Sequence, residues 1–244
     1  GNAKTLRNNN SSRFGKFTKL LYDRRRVICG GEISSFLLEK ARVVSPPTGE
    51  RNYHIFYQLL VGADSDTRED LLLESVDSYR CLSVSNCLTV DGLDDQDEYS
   101  NTIESMEAVH IEERERAGIM RVVAGVLHLG NVTFVVNADE ESCRVGDLTA
   151  LNNAASMLEV SASELGDALI KRVRRLPSGQ EVVSPQTAEQ ASSSRDALGK
   201  AVYAALFEWL VKRINSTLSV TAESNYTTLV DAVRDLPNVT LRHH

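Results

Sequence analysis

One stretch constrains this chain more than any other. Residues 188–218 read as a single long helix with two apolar stripes. Leu198, Val202, Ala205, Leu206 and Trp209 make one stripe; Tyr203, Phe207, Leu210 and Ile214 make the other. A helix that is apolar on two faces belongs inside a larger body, so Trp209 and its aromatic neighbours are expected in a core. Thr187 and Gln190 have the spacing of a capping box at its start.

The rest of the chain is organised around that helix. Residues 1–16 are rich in Gly, Asn and Ser, which favour loops. Residues 16–22 and 27–38 read as two strands around the charged turn 23–26, with Gly30-Gly31 a candidate bulge. Ser45-Pro46-Pro47-Thr48-Gly49 breaks the chain, and Tyr53, Phe56, Tyr57 and Leu60 then follow helical spacing. Residues 81–99 look irregular, and Ser100 is a candidate helix cap. A second helix is expected over 111–127, stopped by Gly130-Asn131 and followed by a strand-like run, 132–136. Two short helices are expected over 147–158 and 161–170, then a basic arm, 171–186, with a turn at Pro177-Ser178-Gly179. After residue 218 periodicity fades. The fold class expected is α+β and mostly helical.

Charge and cysteine usage exclude several functions. The net charge is −7, yet residues 1–26 hold eight basic side chains (Lys4, Arg7, Arg13, Lys16, Lys19, Arg24, Arg25, Arg26) against the single acid Asp23. A basic start on an acidic body suggests a local anion site or a solvated basic loop. Nucleic-acid binding is not expected, because no aromatic residue interleaves with residues 1–13. No apolar run approaches the roughly 18 residues of a membrane span. Cys29, Cys81, Cys87 and Cys143 fit no zinc spacing and no disulfide framework, so reduced thiols in a cytoplasmic protein are expected. The acidic cluster Asp91, Asp94, Asp95, Asp97 and Glu98 lacks the spacing of a calcium loop and reads as solvated. His54 and His128 have no second ligand at useful spacing and read as structural.

The chemistry concentrates in residues 1–16. Amide side chains, two adjacent hydroxyls and two arginines lie in a loop that leads into a strand. Amides and hydroxyls can hydrogen-bond phosphate oxygens, and a serine hydroxyl is a hard oxygen suited to Mg²⁺. Arginine offers a bidentate fork. From chemistry alone the stretch is a phosphate loop or a plain polar turn.

The string Asn8-x-Asn10-Ser11-Ser12-Arg13-Phe14-Gly15-Lys16, preceded by Gly1-Asn2-Ala3-Lys4-Thr5, resembles the switch I loop of myosin motor heads. Other myosin-like strings follow in family order: Leu37-Leu38-Glu39-Lys40-Ala41-Arg42-Val43; Gly49-Glu50-Arg51-Asn52-Tyr53-His54-Ile55-Phe56-Tyr57-Gln58-Leu59-Leu60; Leu127-His128-Leu129-Gly130-Asn131-Val132-Thr133-Phe134; and Ser194-Arg195-Asp196-Ala197-Leu198-Gly199-Lys200. The resemblance covers residues 1–218. It implies a P-loop NTPase-like motor head, with a two-strand hairpin of the central sheet and a helical upper subdomain. Residues 219–244 match nothing and are expected to be a disordered or misread tail.

The resemblance also implies roles, with ATP and Mg²⁺ as cofactors. Ser12 would give its hydroxyl to Mg²⁺. Asn8 and Ser11 would face the phosphates, and Asn2 and Asn8 would steady the nucleotide. Arg13, with Ser11, would serve catalysis by pairing with a glutamate of switch II as the pocket closes. The family's P-loop is expected before Gly1 and its switch II after the long helix. Neither string occurs here, so this chain alone is not expected to be catalytic, and Arg13 has no evident partner. Lys171, Arg172, Arg174 and Arg175 match the region of an actin-facing loop, or are a solvated charge run. The partners implied are actin filaments and, in the parent protein, calmodulin-like light chains, in the cytoplasm and cytoskeleton. The alternatives are a non-catalytic actin-binding fragment and a truncated gene model.

Overall fold

The computed structural model describes residues 1–218 and 226–227. Close to half of the described residues are helical, and the strands form small antiparallel groups.

Two very short strands, β1 (Asn2–Ala3) and β2 (Ser11–Ser12), pair at the start, Asn2 with Ser12 and Ala3 with Ser11. The hairpin follows as β3 (Gly15–Asp23) and β4 (Ile28–Phe36). Asp23 makes its turn: Oδ1 accepts from Arg25 N at 2.8 Å and from Val27 N at 2.9 Å. The bulge falls on Cys29, not on Gly30-Gly31. Leu21 pairs with Gly30 and Tyr22 with Ile28, so the glycines keep their register. The far edge of β3 pairs with β9 (Tyr226–Thr227). The rest of the tail lies outside the described residues.

A 3₁₀ turn over Lys40–Val43 leads to α1 (His54–Gly62) and α2 (Ser65–Asp70). The stretch expected to be irregular holds α3 (Arg80–Ser83) and the start of α4 (Asp95–Ala108). Asp94, not Ser100, caps α4, accepting from Gln96 N at 2.8 Å; Ser100 lies inside the helix and donates to Gln96 O. All of the acidic cluster but Asp91 is therefore the cap and first turn of a helix, where carboxylates complement the helix dipole. Gly62 lets α4 approach α1 closely: a Cβ there would meet Tyr99 Cγ at 2.7 Å.

The next helix, α5 (Glu113–Asn131), starts with a capping box between Glu112 and Glu115 and runs through Gly130-Asn131. β5 (Phe134–Val136) and β6 (Cys143–Val145) form a short ribbon, followed by α6 (Leu148–Met157) and α7 (Ala162–Ile170). The basic arm is a hairpin, β7 (Lys171–Arg175) and β8 (Glu181–Pro185), with Gly179 at φ +84° in its turn.

The long helix is α8 (Ala188–Leu218), closed by the expected capping box: Gln190 N donates to Thr187 Oγ1 at 3.3 Å, and Thr187 N to Gln190 Oε1 at 3.1 Å. Its buried residues, Ala191, Arg195, Gly199, Tyr203 and Ala204, form one stripe. Tyr203 stacks on Tyr53, with ring centroids 5.0 Å apart. Both expected apolar stripes are only partly covered, with Tyr203 their one buried member. Phe207 meets Phe14 edge-on at 5.0 Å, and Trp209 is 40% exposed rather than in the core.

Two apolar clusters hold these elements. The larger joins α1, α3, α5 and α8 through Tyr53, Phe56, Leu82, Val123, Leu127 and Tyr203. The smaller joins the end of α5 to α6 and α7 through Leu129, Leu151, Ala154, Leu165 and Leu169. Cys29, Cys81, Cys87 and Cys143 are free thiols. Among the described residues, no helix is long and apolar enough to cross a membrane, and no three His, Cys, Asp or Glu side chains cluster as metal ligands.

Candidate functional site

The polar loop folds back on itself and is tied down from outside. The β1–β2 bridge closes its base, and Arg13 N donates to Gly1 O at 2.9 Å. Its tip is a turn: Thr5 N donates to Asn8 O at 2.8 Å, and Asn8 N donates to Thr5 Oγ1 at 3.1 Å. Asn8 Oδ1 then accepts from Asn10 N at 2.9 Å, and Asn2 Nδ2 donates to Asn10 Oδ1 at 2.9 Å. Asparagine suits this work because its side chain can replace backbone partners in a turn. Asn10, which carried no assigned role, thus links Asn8 to Asn2.

The segment after the proline break grips the other side. Arg51 N donates to Lys4 O at 3.1 Å, Lys4 Nζ to Gly49 O at 3.0 Å, and Leu6 N to Glu50 Oε1 at 3.2 Å. The loop is short of internal hydrophobic contacts, so these outside bonds set its shape.

Within this frame Asn2 stands opposite Ser12 in the β1–β2 pair, and Asn10 links Asn8 to Asn2. Ser11 Oγ accepts from Arg13 Nη1 at 3.4 Å. Ser12 is exposed, and its hydroxyl has no partner among the described residues. No carboxylate lies within residues 1–16. Hydroxyls and amides, with basic side chains around them and no acid among them, are a donor set that fits a Mg²⁺-bound phosphate.

Arg13 keeps one long contact with that set, to Ser11, and makes its short bond elsewhere. Its Nε donates to Glu39 Oε2 at 2.7 Å. Arg42, 1% exposed, donates to the same oxygen at 2.8 Å, to Glu50 Oε2 at 2.7 Å and to Arg51 O at 2.9 Å. Burial alone would raise the Glu39 carboxyl; hydrogen bonds from Arg13 and Arg42 outweigh it, and the group titrates below the usual carboxylate range. Glu50 is lowered in the same way, burial opposing the bonds from Arg42 and Leu6 N. The Glu39 hydrogen bond raises Arg13 further. A second buried pair lies below: Arg51 donates to both Asp95 oxygens, at 2.9 and 2.8 Å, and stacks 3.6 Å over the Tyr57 ring.

Both histidines are buried. His128 bonds Leu71 O at 2.9 Å. The ring nitrogens of His54 lack a well-aligned partner. Desolvation and the nearby Arg51 push His54 down to about 4, offset in part by the Asn9 backbone.

The second candidate surface is separate. All of β7 is exposed. Lys171 pairs with Asp167 at 2.9 Å and Arg175 with Glu181 at 2.6 Å. Arg172 and Arg174 have no ion-pair partner among the described residues. Strand alternation puts those two on one face, opposite Ser184 and Val182. The four basic residues thus divide into a neutralised pair and a free pair.

Glu39, Arg42 and Glu50 escaped sequence reasoning as site residues. They stand in the strings quoted above, but nothing in their spacing ties them to Arg13.

Comparison with known proteins finds one family along most of the chain. The family model for the myosin head (motor domain) matches residues 1–233. The chain is 43% identical over 226 residues to a protein described as myosin IB heavy chain from Dictyostelium discoideum, covering 90% of this chain and 20% of that one. It is 42% identical over 220 residues to myosin-3 of Arabidopsis thaliana, covering 90% and 19%. It is 39% identical over 225 residues to myosin-1 of Sclerotinia sclerotiorum, covering 92% and 18%. The chain spans about one fifth of the length of these relatives.

Proposed function

The chain belongs to the myosin head (motor domain) family, and on that premise we propose that it is part of an actin-based motor whose loop 1–16 serves a Mg·ATP pocket. One observation carries this reading. The loop is anchored on both sides, yet it leaves the Ser12 hydroxyl exposed and unpartnered beside Asn2, Asn10 and Ser11. A plain polar turn would have no reason to be held so firmly from outside.

In this reading Ser12 supplies an oxygen ligand to Mg²⁺. Ser11 and Asn8 face the phosphates, and Asn2 holds Asn10 so that Asn8 keeps its turn. When bound, Mg²⁺ neutralises charge on the phosphate oxygens. The protein's task is to position groups, exclude water and bring Arg13 to a carboxylate from another part of the polypeptide as the pocket closes. With about one fifth of the relatives' length in this chain, the remaining pocket groups would come from the rest of the protein. Arg172 and Arg174 would meet actin, whose surface is acidic, and steer association.

The test is Ser12→Ala in the complete protein that carries this segment. Losing one preorganised electrostatic partner costs on the order of 100-fold in turnover. Mg²⁺-dependent ATP hydrolysis, stimulated by actin in the wild type, should fall by that factor with the circular dichroism unchanged. Turnover within twofold of wild type would overturn the assignment.

A further inference from the structure

Two arginines share one carboxylate here, and they are not equivalent. Glu39 Oε2 receives Arg13 Nε at 2.7 Å and Arg42 Nε at 2.8 Å. Arg42 is fixed: it is 1% exposed and held by Glu50 at 2.7 Å and Arg51 O at 2.9 Å. Arg13 is movable: about one third of its side chain is exposed, and its one other partner is a 3.4 Å contact with Ser11 Oγ.

The backbone of Glu39 is fixed as well. Its N–H donates to Arg13 O at 3.0 Å, and its C=O accepts from Tyr53 Oη at 2.9 Å. Tyr53 is wholly buried and stacked on Tyr203 of the long helix. The carboxylate is thus presented from a rigid base.

If Arg13 leaves, Glu39 is not stranded. Arg42 still reaches Oε2 at 2.8 Å and Oε1 at 3.5 Å, and the carboxylate is about one third exposed, so Glu39 keeps a cation and water although Arg42 then serves both Glu39 and Glu50. An ion pair whose second cation stays behind can open without the penalty that breaking an isolated buried pair incurs.

We propose that Glu39 is a positioning residue that holds Arg13 in a resting position, in which its only contact with the phosphate-facing groups is the long one to Ser11 Oγ, with Arg42 as the fixed counter-charge that makes Arg13 exchangeable. The proposal rests on the reading of loop 1–16 as a Mg·ATP loop. Closure then means that Arg13 trades Glu39 for another carboxylate. The strength of the Glu39 contact sets the balance between the two positions.

The experiment uses the complete protein and compares Mg·ADP with Mg·ADP plus vanadate, a mimic of the transferring phosphoryl group that favours the closed pocket. Glu39→Gln removes the competing charge. The vanadate complex should tighten about fivefold, the size of one partly exposed ion pair. Affinity for Mg·ADP alone should move by less than twofold. Glu39→Asp keeps the charge beside Arg42 but shortens the reach to Arg13, and should tighten the vanadate complex in the same direction. It decides the question if Glu39→Gln does not fold. A merely structural Glu39 would weaken both complexes together, and that result overturns the proposal; so does an unchanged vanadate complex. A wild type that gains nothing from vanadate removes the Mg·ATP reading itself, and the proposal with it.

Discussion

Replacing Arg42 with methionine should unfold the support of the loop more than its surface. Methionine keeps most of the length and volume, so the packing change is small. The polar loss is large. Arg42 donates to Glu39, Glu50 and the Arg51 carbonyl, and it is 1% exposed. Stranding a buried charge costs about 3–5 kcal/mol, and an unsatisfied buried carbonyl about 1–3 kcal/mol. Two facts reduce the sum. Glu39 keeps Arg13 and is about one third exposed, and Glu50 keeps Leu6 N. The net loss expected is about 4 kcal/mol, out of a typical total of about 5–15 kcal/mol. Its pH dependence follows from the lowered carboxyls. A carboxyl whose folded pKa is depressed stabilises fully above its ordinary value of 4.5, and that stabilisation is lost as pH falls through the lowered folded value. The gap between wild type and Arg42→Met should therefore narrow below about pH 4.5. Urea denaturation of both proteins, followed by circular dichroism from pH 7 downward, measures it. A loss under about 1 kcal/mol at pH 7 would show that water already screens the network, and a gap that does not change with pH would show that the carboxylates are not its source.

Two further outcomes can be checked in parallel. His54 is 5% exposed and held near 4 in the fold against 6.5 when free, so the unfolded chain takes up its proton first. Stability should decline by up to about 2.5 kcal/mol as pH falls from 6.5 towards 4, and His54→Gln should flatten that slope; a slope equal in both proteins would exclude His54 as its cause. At the hairpin, Arg172→Glu with Arg174→Glu should weaken actin co-sedimentation roughly tenfold at low salt and reduce its salt dependence, with stability unchanged within about 0.5 kcal/mol. Reversing Lys171 and Arg175, already neutralised by Asp167 and Glu181, should do less. Equal losses from both pairs would refute the division of the hairpin into two faces.

What the sequence made legible was what depends on near neighbours. The Thr187–Gln190 capping box is a spacing of three, and the hairpin is two apolar runs around a charged turn. Near neighbours were also where it misled. Asp94 captures the cap of α4 because the acidic residues that follow suit a helix start; composition read them as a solvated loop, and Asp91, Asp94 and Asp97 are exposed, but the loop is a helix start. The long helix buries neither expected stripe in full: of the residues named in them only Tyr203 is buried, and Trp209 is exposed. Periodicity states which faces could be buried, not which ones meet a partner.

The site shows the deeper limit. The groups of this chain proposed to face a phosphate all lie within residues 1–16, so the motif names them. It cannot name what holds them, because Arg13 meets Glu39 across 26 residues and Arg51 meets Asp95 across 44. Those separations are closed by the hairpin and by the packing of α4 on α1, neither of which the loop encodes. The consequence is physical. A loop built of short polar side chains buries little apolar surface and cannot stabilise its own conformation, so its shape is set by the ion network behind it. In the proposed reading the groups that act and the groups that set when they act are different residues, with Arg13 the one that joins the two sets.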